Sequence, residues 1–201
     1  MKRIRARYVV LLIILIGLAA TGWYVMARGF SARTQPTSAE AFIARRLRGI
    51  AIPRGAREAQ NPVAASPEVL SEAMAHFADH CATCHANDGS GETSTGQGLY
   101  PKPPDMRQSD TQRLTDGEIY YIIHNGVRFT GMPAFGDGSK EGLDEDSWKL
   151  VHFIRHLPMI TAEELAQMQQ MNPKSPAELK EEEEIERFLQ GGDEPSTHKH
   201  H

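Results

Sequence analysis

Both cysteines of the 201-residue chain lie in one five-residue segment, Cys81-Ala82-Thr83-Cys84-His85. Because the chain has no third cysteine, a scaffold held by several disulfides and a zinc site made of four cysteines are excluded. A thioredoxin-like dithiol pair follows a strand of a βαβ unit, whereas the residues from 68 to 80 have helical spacing of apolar side chains. This segment therefore limits the fold more than any other part of the sequence.

The spacing Cys-x-x-Cys-His is the attachment signature of c-type haem. Two thiols at this spacing reach the two vinyl groups of one porphyrin, and the adjoining imidazole reaches the iron. We therefore expect one haem c, bound through thioethers to Cys81 and Cys84, with His85 as an iron ligand.

Phe77 lies four residues before the first cysteine, and Phe153 lies on a second predicted helix, Asp146–Leu157. Together with the Cys-x-x-Cys-His motif, this arrangement resembles the small monohaem cytochromes c of the bacterial periplasm, in which such an aromatic residue marks the crossing of the first and last helices. The resemblance implies an all-α fold, a small cytochrome c domain wrapped around one covalently bound haem. Ala73 stands where this family usually has glycine.

The resemblance also implies a methionine as the second iron ligand, in a loop well after the histidine and followed by proline. Met132 fits this description, 47 residues beyond His85. Met106 follows the motif too soon to be favoured. His124 and His152 lie on predicted helices, and for His124 we expect a capping or solvent role at a helix end.

A proline-rich segment, residues 99–105, resembles the family turn that offers a backbone carbonyl to the histidine Nδ1. Pro103 and Pro104 are equal candidates for this contact. Four further side chains are candidates for binding the haem carboxylates: Tyr100, Arg107, Arg128 and Trp148.

An almost uncharged run, residues 8–26, follows four basic residues and is closed by Arg28. Nineteen helical residues cover about 28 Å, close to the hydrocarbon thickness of a bilayer. We expect residues 1–28 to be a retained single-pass anchor, with a removed signal peptide as the alternative. The basic residues stay in the cytoplasm, so the haem domain is expected on the periplasmic side of the cytoplasmic membrane.

The rest of the chain divides at changes of composition. We expect a linker with one short helix, about 39–48 and capped at Ser38, followed by the haem domain and two capped helices near 162–171 and 176–190. The expected parts are the linker 29–68, the cytochrome c domain 69–157, the helical extension 158–192 and the His-rich tail 193–201.

The tail carries His198, His200 and His201. Three imidazoles within four residues can bind a divalent metal such as copper, nickel or zinc, and the alternative is a tail without a metal.

Charge is divided unevenly along the chain. Residues 1–60 have 11 Lys and Arg against two acids, whereas residues 69–157 have seven against 13. An acidic haem domain favours redox partners that dock through basic patches, and we expect no nucleic acid partner.

An iron with both axial positions filled predicts a one-electron carrier of a respiratory or related chain rather than an enzyme. The alternatives are a permanent cytochrome c subunit of a membrane oxidase or dehydrogenase, a haem sensor or peroxidatic protein, and a metal-delivery protein.

Overall fold

The computed structural model describes residues 2–29, 31–139, 142–174 and 176–189. These residues form helices joined by loops, and no β-strand occurs among them, so the expected all-α fold is confirmed. The helices are α1 (Lys2–Arg28), α2 (Ser38–Ala51), α3 (Arg54–Glu58), α4 (Pro67–His76), a π-helix (Phe77–Cys81), α5 (Ala82–His85), α6 (Ser94–Gln97), α7 (Ser109–Gln112), α8 (Asp116–Asn125), α9 (Glu145–His156), a 3₁₀ turn (Leu157–Met159), α10 (Ala162–Met171) and α11 (Pro176–Leu189).

The chain divides into two compact units, and the first, Met1–Gln35, contains α1. Its segment Arg7–Ala27 has 21 residues with a mean hydropathy of 2.4, and its side chains are exposed. At 1.5 Å per residue this segment covers about 32 Å, enough for the hydrocarbon core of a bilayer. The helix therefore meets the length and composition requirements of a membrane span.

Side-chain caps begin the helices where the sequence indicates them. Thr115 and Thr161 each accept a hydrogen bond from the third residue of the helix, and the glutamate at that third position bonds back to the cap backbone. Thr37, rather than the expected Ser38, caps α2 in the same way, with Glu40 as its partner. These reciprocal bonds satisfy backbone N–H groups that a helix start leaves free.

The crossing of α4 and α9 is the centre of the core in the second unit. The rings of Phe77 and Phe153 lie 4.9 Å apart at 51°, and both side chains are buried. At the edge of the crossing, the Lys149 ammonium lies 2.8 Å from the Glu72 carboxylate. The expected contact between the first and last helices of the domain is therefore confirmed.

A second aromatic contact joins α8 to α9. Tyr120 stacks on Trp148 with ring centres 4.1 Å apart, and the Trp148 Nε1 donates to the Gly142 carbonyl oxygen at 3.1 Å. Arg155 of α9 binds the Asp116 carboxylate at 2.7 Å at the start of α8. These contacts hold α8 and α9 against each other both near the loop that joins them and at their opposite ends.

The segment that we expected to be a linker, residues 29–68, is packed onto the helical unit from Pro36 onward. The Asn61 amide donates to the Trp148 carbonyl oxygen at 2.9 Å, and His152 Nε2 lies 2.9 Å from the Val63 carbonyl oxygen. Ile52 is buried. The expected linker is therefore corrected to a packed segment from Pro36 onward, because the Asn61 side chain binds the backbone of α9 and the His152 side chain of α9 binds the backbone of the segment.

The C-terminal extension contains the two expected helices. Met168 of α10 is fully buried, and Glu164 accepts from His156 Nε2 at 2.8 Å, so α10 packs on the cytochrome-like core. In contrast, the apolar side chains of α11 are exposed. The tail, with the three histidines proposed for metal binding, lies outside the described residues.

The aromatic crossing yields a stability prediction. Phe153→Ala should lower the free energy of unfolding by about 3–5 kcal/mol, because it removes a fully buried ring and leaves a cavity against Phe77. Met159→Ala is the matched control, because that side chain is 70% exposed and its removal should change stability by about 0.5 kcal/mol or less. Denaturant unfolding followed by circular dichroism measures both, and equal losses would contradict the packing described.

Candidate functional site

An apolar cavity of about 410 Å³ lies inside the second unit. Its volume falls in the range of about 300–1,000 Å³ that is typical of cofactor and ligand pockets. The four residues predicted to hold the haem all line it: Cys81, Cys84, His85 and Met132. Aliphatic side chains of α8 and α9 complete its walls: Ile119, Ile122, Ile123, Leu150 and Ile154.

The chain enters the cysteine motif through the π-helix Phe77–Cys81. A π turn places one extra residue in the helix and is frequent at functional sites. Phe77 and Ala78 stay buried through this turn, and Cys81 lies at the cavity wall. The sequence predicted an uninterrupted helix up to His80, because the spacing of apolar residues does not distinguish a single π turn from α-helix.

Burial determines the protonation states of the motif side chains. It raises the pKa of Cys81 to about 12, with a further contribution from Cys84, so the Cys81 thiol is uncharged at neutral pH. A redox-active dithiol pair requires a thiolate of low pKa, and this burial argues against that alternative. Burial also lowers the pKa of His85 to about 4, which leaves a neutral imidazole, the form that binds metals.

The loop after His85 lies close to the backbone of the motif. At Gly96 a side-chain carbon would lie 2.3 Å from the Cys84 carbonyl oxygen, so only glycine fits there. The Gly91 N–H donates to the His85 carbonyl oxygen at 2.8 Å, and Thr93 Oγ1 donates to the Cys84 carbonyl oxygen at 3.3 Å. These contacts fix the turn that presents the imidazole to the cavity.

The His85 imidazole has no hydrogen-bond partner among the described residues, and its Nδ1 atom is buried. Pro103 and Pro104 both line the cavity, but neither carbonyl forms the bond to Nδ1 that the resemblance implied. A buried polar group left unpaired costs about 1–3 kcal/mol. His85 is therefore an uncharged nitrogen donor in this cavity, and the protein does not use it in its own hydrogen bonding.

Met132 lies in a loop that folds back on the end of α8. The Val127 N–H donates to the Met132 carbonyl oxygen at 3.0 Å, and the Met132 N–H donates to Thr130 Oγ1 at 3.1 Å. Gly126 has a φ of 65°, and a side-chain carbon there would lie 2.6 Å from the Ala134 nitrogen. The chain therefore reverses at a position that requires glycine, and the reversal brings Met132 to the cavity wall.

A buried hydrogen-bonded pair holds the two ends of this loop. His124 Nδ1 lies 2.9 Å from Asp144 Oδ2, and the two side chains are 10% and 3% exposed. Burial alone would raise the pKa of Asp144, but hydrogen bonds from Ser147 and His124 outweigh it, and the pKa is lowered. The capping or solvent role expected for His124 is corrected, because its ring binds the residue that caps α9.

Residues 68–154 match the family model described as cytochrome c oxidase, cbb3-type, subunit III. The match begins in α4 and ends in α9, so it includes both helices of the core crossing and every residue predicted to hold the haem. These residues are a c-type cytochrome domain. A cytochrome domain of this kind implies haem c and electron transfer. No curated protein matches the chain.

The residues around the cavity of the cytochrome domain fit a haem. The donor set comprises two thiols for thioether bonds, a neutral imidazole and a methionine sulfur, within walls that are mostly aliphatic. His/Met is a ligand pair used by c-type cytochromes. Met106 also lines the cavity, so the structure brings both methionines considered from the sequence to the same space.

The side chains suggested for the haem carboxylates are less well placed. Among the four candidates, only Tyr100 lines the cavity. The Trp148 Nε1 is occupied by a backbone carbonyl, and the Arg107 guanidinium is held 2.7 Å from Asp88 and 2.9 Å from Asp105. Sequence reasoning instead missed α2, whose residues Glu40, Ala44 and Arg48 line the cavity at four-residue intervals.

The Asp88–Arg107–Asp105 group connects the loop after His85 to the segment that precedes α7. Hydrogen bonds from Arg107 lower the pKa of Asp105 to about 2. A carboxylate whose pKa is lowered by folding stabilises the protein above its unfolded pKa, near 4, and this contribution is lost as the pH falls toward 2. These side chains are about one-third exposed, so the contribution is about 1 kcal/mol.

This group yields a prediction of pH dependence. Arg107→Gln should lower the free energy of unfolding by about 1 kcal/mol at pH 6, and the difference from wild type should shrink between pH 4 and pH 2. Arg113→Gln is the control, because the Arg113–Asp110 pair is exposed. Denaturant midpoints measured at each pH test this, and a difference that stays constant down to pH 2 would contradict the assigned role of Asp105.

Proposed function

We propose that the protein is a membrane-anchored one-electron carrier with one haem c. In this proposal Cys81 and Cys84 would hold the haem through thioethers, and His85 and Met132 would bind its iron. The observation that supports it most strongly is that these four side chains line one apolar cavity, although 51 positions separate the first from the last.

Each residue has a distinct task in this mechanism. The bound haem supplies one-electron oxidation and reduction at its iron. His85 offers a neutral nitrogen, and Met132 offers a soft, uncharged sulfur that favours the ferrous state and raises the potential. The aliphatic walls from α8 and α9 exclude water. If His85 and Met132 both bind the iron, a bound haem would have no position left on the iron for a substrate.

The N-terminal unit supports membrane attachment. Arg7–Ala27 has the length and hydropathy of a span, and the basic residues before it favour a cytoplasmic N-terminus. The cytochrome domain would then face the periplasm, anchored to the outer surface of the cytoplasmic membrane. A tethered carrier searches only the thin layer beside the membrane for its donor and acceptor.

A permanent subunit of an oxidase is the second candidate. It is favoured by the description of the matching family, which names an oxidase subunit, and by the exposed apolar side chains of α11. The two candidates share the haem site and differ in whether electron exchange requires a collision with a separate partner.

Ligation by Met132 is tested with carbon monoxide. The reduced wild-type protein should not bind carbon monoxide at neutral pH, whereas Met132→Ala should bind it, because the substitution opens one axial position. Met106→Ala is the matched control and should behave like wild type, since Met106 lines the same cavity. Carbon monoxide binding by wild type would contradict the carrier mechanism and support a sensor or peroxidatic role.

The docking mode is tested by ionic strength. The cytochrome domain has seven Lys and Arg against 13 acids within residues 69–157, so electron exchange with a basic redox protein should slow by about tenfold or more between 10 and 200 mM salt. An acidic redox protein is the control and should not be slowed by salt. A rate that is independent of both salt and acceptor concentration would favour the permanent subunit.

A further inference from the structure

The helix α2 presents two different faces. Residues that line the cavity recur along one side of it: Glu40, Ala41, Ala44, Arg45 and Arg48. The other side carries exposed apolar side chains together with Arg46, whose guanidinium lies 5.2 Å from the centre of the Phe42 ring. The helix lies outside the segment that matches the cytochrome family, so this cavity wall is an addition to the family domain.

The small residues on the inner face let α2 approach the cavity closely. Ala41 and Ala44 line the cavity, and Arg45 and Arg48 follow within the next turn of the helix. Two guanidinium groups are therefore carried on one helical face beside a mostly aliphatic space. A charge beside an apolar wall is costly unless a counter-charge accompanies it.

Arg48 is half-buried, and its side chain has no ion pair or hydrogen bond among the described residues. Arg45 lies 3.8 Å from the Asp110 carboxylate, but both of these side chains are 55% exposed. Exposed pairs of this kind contribute about 0–1 kcal/mol. Both guanidinium groups are therefore free to bind a stronger anion at the cavity.

Two other basic side chains near the cavity, Lys102 and Arg107, already have partners. The Lys102 ammonium donates to the Gln97 side-chain oxygen at 2.7 Å. Arg107 is held by its two aspartates. A haem carries two carboxylates, and the acidic cytochrome domain has few free cations to offer them.

We propose that α2 supplies the counter-charge for the haem carboxylates, with Arg48 as the principal residue and Arg45 as a second one. This inference rests on the proposed function, because it requires a haem in the cavity. It assigns the helix before the cytochrome domain a role in cofactor binding, and it explains why that segment packs on the domain instead of forming a free tether.

A guanidinium at this position changes the redox equilibrium. It neutralises a carboxylate whose negative charge would otherwise stabilise the ferric state, and its own charge disfavours that state. Arg48→Gln should therefore lower the midpoint potential. The equilibrium constant for reduction should fall by roughly three- to tenfold, as expected for the loss of one partly screened charge near the iron. The potential should also become more dependent on pH, because the freed carboxylate titrates at a higher pH.

The test is a spectroscopic redox titration of the full-length holoprotein at several pH values. Arg46→Gln is the matched control, because it removes the same charge from the same helix on the face away from the cavity. We expect a lower potential for Arg48→Gln only. Equal shifts in the two variants, or no shift in either, would overturn the inference and leave the haem assignment intact.

Arg48→Lys separates the charge from a packing role. It keeps the cation and should retain most of the wild-type potential, whereas a purely structural role predicts that Lys and Gln behave alike. This variant also serves if Arg48→Gln fails to accumulate with haem. A wild-type protein without covalent haem is a different result, because it would contradict the proposed function itself.

Discussion

The fold depends on enclosing an apolar cavity beside a neutral imidazole. Burial keeps His85 uncharged and Cys81 protonated, and the aliphatic walls are held in place by the crossing of α4 with α9 through Phe77 and Phe153. Each loop around the cavity then positions one of the proposed ligands. The loop after His85 lies on the motif backbone at Gly96, and the loop of Met132 reverses at Gly126. The site is consequently a product of the whole packed unit rather than of the motif alone.

Charge is distributed in a way that suits this arrangement. The cytochrome domain is acidic, and a haem would add two further carboxylates to it. The preceding segment is basic, and α2 carries part of that charge to the cavity through Arg45 and Arg48. In the sequence, the two segments have opposite net charges. Because α2 packs on the domain, some of these opposite charges lie close to each other in the structure.

Local signals in the sequence predicted most of the helices and the ligand candidates. Thr115 and Thr161 cap helices because a glutamate follows three residues later. The proline after Met132, in a family-like loop, makes this methionine the predicted second ligand. Tertiary contacts were not predictable in this way. The packing of residues 52–63 depends on hydrogen bonds with α9, about 90 positions away, and the His124–Asp144 pair depends on how the intervening loop closes. The π turn before Cys81 does not change the spacing of apolar residues, so the sequence pattern does not predict it.

Intact-mass spectrometry tests whether one haem is bound covalently through Cys81 and Cys84. Protein matured in a host that makes c-type cytochromes should, after denaturation, have the mass of the chain plus one haem and no titratable thiol. Digestion should locate the added mass on the peptide that contains Cys81 and Cys84. A mass equal to the chain alone, with two free thiols, would contradict the account.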